Sequence, residues 1–273
     1  MTVDVVRVSR DWLDQREAAD AAARSRKLVD ELRRHEPADR YWLIHDLGSG
    51  SGSMGRWLAP LLSGPQCWVL HDRDPELLSH AAVDVPAPAA DGSEVTVETV
   101  LSDITQLDPE DLAGATLVVA SALLDLLTPE ELERLIRACA GVGCPVLFAL
   151  SVTGRVQLLP PDPLDGRISL AFNAHQRRLT RRGPLLGSGA VEATVQGFHR
   201  LGAEVIVHPS PWRLGGPESE LLAAWFNGWV EAAGEQEPAL MSEVVPYRRR
   251  RLREAAAGAL AVTVGHADLL VLP

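Results

Sequence analysis

Tyr41–Asp74, YWLIHDLGSGSGSMGRWLAPLLSGPQCWVLHDRD, decides the fold of this 273-residue chain. Trp42 to Leu47 is a short apolar run, broken only by His45 and Asp46, that stops at a cluster of glycines. That pattern reads as a buried parallel strand entering a tight turn. Gly48, Gly50 and Gly52 let the backbone take positive φ and let a ligand approach without a Cβ in the way. Ser53 to Leu62 reads as a helix stopped by Gly64 and Pro65, so its free N–H groups and positive dipole end point over the glycines. A second strand, Cys67 to Leu70, leads to Asp72. A carboxylate about 20 residues beyond such a loop is placed to accept from the two hydroxyls of a ribose. The stretch is a nucleoside-binding βαβ unit.

Two cofactor classes use such a unit. Gly50-Ser-Gly52-Ser-Met-Gly55 fits G-x-G-x-x-G, which keeps an NAD(P)-dependent oxidoreductase open as an alternative. That pattern, however, begins two residues late, after Asp46-Leu47-Gly48 has already ended the strand. The spelling Asp46-Leu47-Gly48-x-Gly50-x-Gly52 resembles motif I of the class I S-adenosylmethionine (SAM)-dependent methyltransferases. The resemblance implies that Gly48, Ser49, Gly50 and Gly52 line SAM, that Asp72, with Arg73 beside it, takes the ribose, and that Asp46 orients the loop and sets a negative field near the sulfonium. It further implies that Asp103 accepts from the adenine amino group, next to Ile104. Ser121 and Asp125, at the C-terminal end of the fourth strand, face the reaction zone or its cofactor side, since ligands of open α/β sheets bind beyond those ends.

The rest of the chain extends an α/β pattern. Residues 9–36 predict a helix or helix pair before the first strand, where Arg16 or Arg24 could meet the cofactor's carboxylate, although a surface ion pair is the simpler role for each. Asp74-Pro75-Glu76 starts a helix, 84–93 is a loop, and Glu94 to Leu101 alternates as a strand with one wetter face. Thr116 to Ala122 is apolar throughout, hence a central strand. Thr128-Pro129-Glu130-Glu131 is a capping box for a helix burying Leu132, Leu135, Ile136 and Cys139. Pro145 to Val152 is the fifth strand, Gly189 to Leu201 a helix, and Ala203 to His208 the sixth strand. Residues 217–258 form a helical pair, and 260–272 a last strand kinked at Gly265. The expected fold is a Rossmann-like, doubly wound, mostly parallel seven-stranded sheet with an antiparallel last strand. One domain covers 1–273: an N-terminal helical cap (1–39), a SAM-binding core (40–152), an irregular substrate lid (153–187) and the C-terminal half of the sheet (188–273) with its helical insertion.

Composition narrows the function. A net charge of −11 disfavours the phosphate backbone of nucleic acid as a partner. The arginine clusters at 177–182 and 248–253 read as solvated faces. No run of eighteen apolar residues suggests a membrane span, and Asp4, Arg7 and Arg10 occupy the place where a signal peptide would carry its apolar core. Cys67, Cys139 and Cys144 lack metal or C-x-x-C spacing and read as reduced thiols of a cytoplasmic protein. Lys27 is the sole lysine, a coding bias that points to a GC-rich bacterium.

Methyl transfer needs an acceptor held in line with the methyl group, and a base only where the acceptor must lose a proton. His175, in the expected lid, is the first candidate base, and Asp125, at the mouth of the fourth strand, is the second. Arg177 and Arg178 are candidates to steer an anionic acceptor, and Trp225 to wall its pocket. No His/Asp/Glu set has metal-ligand spacing, so the expected reaction is metal-independent, on an O or N atom (C less so) of a small molecule, with a homodimer as the candidate assembly. An RNA or protein methyltransferase and a catalytically degenerate SAM-binding partner protein are the other readings.

Overall fold

A computed structural model describes residues 8–37 and 40–273; Asp4 and Arg7 lie outside them. The chain begins with α1 (Arg10–Ala23) and α2 (Arg26–Leu32), capped by Ser9 and Ser25, whose hydroxyls accept from Trp12 N and Leu28 N. The expected unit follows as β1 (Trp42–Leu47), α3 (Ser53–Leu58) and β2 (Gln66–Asp72). Next come α4 (Pro75–Ala81), β3 (Val95–Leu101), β4 (Leu117–Ser121), α5 (Pro129–Val142) and β5 (Val146–Leu159). In α5 the capping box forms as read: Glu131 N donates to Thr128 Oγ1 at 3.2 Å and Thr128 N to Glu131 Oε2 at 2.8 Å.

The sheet runs β3-β2-β1-β4-β5-β10-β8, where β8 is Glu204–Pro209 and β10 is Ala261–Leu272. β10 is antiparallel to both its neighbours, and the other four pairings along this path are parallel. This is the doubly wound, Rossmann-like sheet with one reversed strand that the sequence predicts. β1 and β2 are buried on both faces, as parallel strands between helical layers must be. β3, at the edge, alternates and leaves Leu101 exposed.

Two features depart from the sequence reading. The expected lid is not irregular: β5 continues to Leu159, followed by α6 (Asp165–Gln176) and a small hairpin, β6 (Leu179–Thr180) with β7 (Gly183–Pro184). β5 extends because β10 is nearly as long and supplies partners out to Ala261↔Leu159, with a bulge opposite Gly265. A short strand, β9 (Trp212–Leu214), also pairs with the early part of β10. After α7 (Ala190–Arg200) and these strands, the expected helical pair forms as α8 (Ser219–Gln236) and α9 (Met241–Ala256). Together with α6 it builds a second core on Leu158, Phe226, Trp229 and Tyr247. The cluster at 248–253 is not a purely solvated face: Arg251 is buried, with both guanidinium arms on Asp165, Glu254 and the Pro160 carbonyl.

Asp268 of β10 ties these layers together. Its carboxylate accepts from Ser25 N at 2.7 Å, from Leu150 N at 2.7 Å and from the Ser210 hydroxyl. Leu150 sits at φ +56°, a left-handed turn that puts it in the same apolar layer as Leu147 and Ala149. We expect Asp268→Ala, which strands three buried donors, to destabilise the protein by roughly 3–5 kcal/mol, read as a lower urea midpoint. An unchanged midpoint would show that the carboxylate is not a fastening point.

Candidate functional site

The glycine loop has the backbone its spelling demands, with φ of +67° at Gly48, +54° at Gly50 and +82° at Gly52. The first two also make room for neighbours: a Cβ would lie 3.2 Å from Leu123 Cδ1 at Gly48 and 3.2 Å from Leu13 Cδ1 at Gly50. The loop consumes its own amides. Gly48 N and Ser49 N both donate to the His71 carbonyl, at 2.8 and 3.0 Å, and Gly52 N donates to the Ser49 carbonyl. Gly50 N donates to Asp72 Oδ2 at 2.8 Å, while Asp74 N reaches the other oxygen at 2.9 Å. Asp72 is thereby fixed at the C-terminal end of β2 with lone pairs left on both oxygens. Asp103 lines the same cavity, and it also caps the turn after β3, since Oδ1 accepts from Thr105 N and its hydroxyl.

Asp46 is the most demanding residue of the site. It is 1% exposed, it lines the cavity, and neither carboxylate oxygen has a hydrogen-bond partner among the described residues. Burial pushes its pKa up to about 7, Arg24 opposes the shift and Asp72 adds to it. Ser49 Oγ, beside it in the loop, is likewise buried and unpartnered. Arg24 is not the surface residue the sequence suggests. It is buried, donates to the Ser53 carbonyl and hydroxyl and to Ser121 Oγ at 3.1–3.2 Å, and lies 5.5 Å from the Trp57 ring. Ser121 is therefore engaged by Arg24 while lining the cavity.

The cavity measures about 480 Å³ and opens at the C-terminal ends of the strands, where open α/β sheets bind ligands. In sheet order, Asp72, Arg73, Asp103 and Ile104 line it after β2 and β3, Asp46 and the glycine loop at β1, and Asp125, Trp212 and His266 at β4, β9 and β10, with Phe172 and Gln176 of α6 and Trp225 of α8. α1 roofs it with Trp12, Leu13 and Arg16. Arg16 forks onto Asp20 at 2.9 and 3.2 Å and covers the Trp212 ring at 5.0 Å. Two backbone positions in the left-handed region, Ala122 at φ +52° and Leu150, border it, as strained residues at binding sites often do.

The two candidate bases separate. Asp125 lines the cavity, and burial pushes its pKa up to about 6 against the opposing pull of Arg16 and Arg178. His175 lies outside the lining: it is on α6 but points toward α8, with Nε2 3.1 Å from Glu235 Oε2. The sequence placed it in a loose lid; in a helix, its rotation about the axis aims Phe172 and Gln176 at the cavity instead. Arg177 is exposed and Arg178 holds the His175 carbonyl, so neither lines the cavity. Arg182, from the same cluster, does, with Nη1 on Glu131 at 2.6 Å. Trp225 lines the cavity while its stripe-mates Phe226, Trp229 and Val230 are core. The sequence pattern does not single out His266, Trp212, Gln176 and Phe172: β9 has no local signal, His266 falls beside the kink expected at Gly265 in the last strand, and the α6 segment reads as irregular. Among the described residues no group of His, Cys, Asp and Glu is placed to hold a metal ion, and no helix is long and apolar enough to cross a membrane.

No family model matches the chain, and no curated protein matches it. Solved structures resemble it at a distance. A SAM-dependent methyltransferase from Geobacter sulfurreducens in complex with S-adenosyl-L-homocysteine shares 16% identity, covers 98% of this chain and 100% of its own, and superposes with a TM-score of 0.47. One from Thiobacillus denitrificans, with the same ligand, shares 14% over 97% and 98% of the chains at 0.45. A cyclopropane synthase from Mycobacterium tuberculosis shares 12% over 89% and 83% at 0.45. At these scores the likenesses carry no argument about activity, which rests on the site itself.

Proposed function

We propose that this chain is a SAM-dependent methyltransferase acting on an O or N atom of a small-molecule acceptor without a metal. The observation that carries the reading is Asp46, a buried carboxylate with both oxygens unpartnered, at the floor of a cavity whose far end presents Asp72. Such a group is costly unless a ligand satisfies it, and the cationic methionine part of SAM does so while its ribose meets Asp72. Bound there, the cofactor supplies an electrophilic methyl carbon. Asp103 and Ile104 flank the base, the Gly48–Gly52 backbone lies along the methionine part, and Arg16 faces its carboxylate. The protein's part in the reaction is orientation, which supplies roughly 7–11 kcal/mol, with Asp125 taking a proton where the acceptor must lose one.

The other readings find less support. A dinucleotide needs loop amides free for its pyrophosphate, and here Gly48, Ser49, Gly50 and Gly52 donate within the protein. An RNA or protein acceptor would draw on the arginine clusters, but Arg182, Arg250 and Arg251 are paired with acids. A degenerate binding partner would have no use for a titrating carboxylate in the acceptor lobe.

Asp72→Ala should remove charge-assisted hydrogen bonds worth roughly 1.5–3 kcal/mol, weakening SAM binding about 10- to 150-fold in a calorimetric titration; unchanged affinity would refute the assignment.

Asp46 titrates near 7 in the folded chain against 3.8 as its reference value, so the fold loses stability as pH rises between the two. Asp46→Asn should therefore raise the Tm of the cofactor-free protein at neutral pH. Wild type should release a proton on binding SAM near neutral pH, seen as a buffer-dependent binding enthalpy, and the variant should not. A variant that still releases it would remove Asp46 from the cofactor.

With a proton-losing acceptor, kcat/KM should rise with pH through about 6 and then level, as the Asp125 carboxyl ionises. Asp125→Asn should lower the plateau about 100- to 10,000-fold, and His175→Ala should leave it unchanged. The reverse pattern would reinstate His175.

A further inference from the structure

The end of the cavity beyond the glycine loop carries unmet hydrogen bonds on an aromatic wall. His266, on β10, is 6% exposed and lines this lobe, its ring 5.4 Å from that of Trp212. Its Nδ1 is buried with no partner among the described residues. Burial, reinforced by the nearby Arg16 charge and opposed by the Val264 backbone carbonyl, lowers its pKa to about 4, so the imidazole is neutral at physiological pH. On α6, Gln176 also lines the cavity, and its Oε1 is buried and unpartnered. Trp225 stacks on the buried Trp229 at 5.5 Å and 18°, so that partner covers one face of a ring that itself lines the cavity. Phe172 lines the lobe beside it.

Buried polar atoms without partners destabilise a protein, and here two of them belong to residues that line one space walled by rings. A flat apolar ligand satisfies the walls but not the polar atoms. A hydroxyl that donates to Gln176 Oε1 accepts from Nδ1–H, and in the other tautomer a second hydroxyl donates to Nδ1. We propose that the acceptor is a hydroxylated planar aromatic compound, its ring stacked between Trp225 and Phe172, with His266 and Gln176 as the residues that select for its hydroxyl groups. The word acceptor rests on the methyltransferase reading; the binding of such a ring does not. In the transfer so completed, a hydroxyl proton passes to Asp125 as the oxygen–methyl bond forms. The sulfur–methyl bond breaks and leaves its electron pair on sulfur.

The test uses the full chain, resorcinol and its dimethyl ether, 1,3-dimethoxybenzene, in calorimetric titrations. Resorcinol should bind about tenfold or more tightly than the ether, the discrimination expected when a ligand leaves buried polar groups unpaired. His266→Phe and Gln176→Leu, which keep size and remove the polar atoms, should each erase most of that preference while SAM titrates as in wild type. If His266→Phe fails to fold, Gln176→Leu carries the test alone. Equal binding of the two probes, binding of neither, or preference retained in the variants would overturn the proposal. A protein that prefers resorcinol but does not bind SAM would overturn the methyltransferase reading and leave this lobe assigned. SAM binding without any preference would do the opposite.

Discussion

A single buried cation holds the site together. Arg24 ends α1 and reaches across to the start of α3 and the end of β4, with arms on Ser53 and Ser121. Desolvation lowers its pKa, and the fields of Asp20, Asp46 and Asp268 oppose that shift. Each of those acids does a separate job: Asp20 anchors Arg16 and Trp212, Asp46 underlies the glycine loop, and Asp268 fastens α2 to β5 and β10. A charge in such a place is tolerated only where opposite charges and hydrogen bonds surround it. The helical cap, the loop and the last strand therefore share one electrostatic centre, and the roof cannot be moved without disturbing the floor.

The glycine loop follows the same economy. Because its amides serve the His71 carbonyl, the Ser49 carbonyl and Asp72, the loop is rigid before any ligand arrives. It offers a ligand shape and two carboxylates rather than a nest of donors. That combination suits a cation bearing a sugar and suits a pyrophosphate poorly. Beneath it, His45 Nδ1 meets His71 Nε2 at 2.9 Å in a buried stacked pair, and Ser102 Oγ closes the chain at the far nitrogen. Burial lowers both imidazole pKa values, so the pair fills the strand–helix interface without adding charge to it.

Above the sheet, α6, α8 and α9 form a second storey fastened by Arg251 and Tyr247 on Asp165. That ion pair is internal to the storey, whose Phe172 and Gln176 on α6 and Trp225 on α8 line the cavity. The residues nearest the expected chemistry thus come from elements far apart in the chain.

What the sequence determined by itself was local: the β1–α3–β2 unit, the α5 capping box and its apolar stripe, Asp72 at a strand end, and the helical pair before the last strand. Glycine positions, caps and periodicity act over a few residues and leave their mark in the spelling. The tertiary structure alone decided what depends on partners distant in sequence. β5 ran on to Leu159 because β10 was there to pair with it, which turned an expected loose lid into a strand, a helix and a hairpin. Once α6 was a helix, its rotation carried His175 to Glu235 and left Asp125 in the cavity. Arg24, one arginine in an alanine-rich helix, looked like a surface charge because nothing near it in the chain announces the acids that the fold gathers around it.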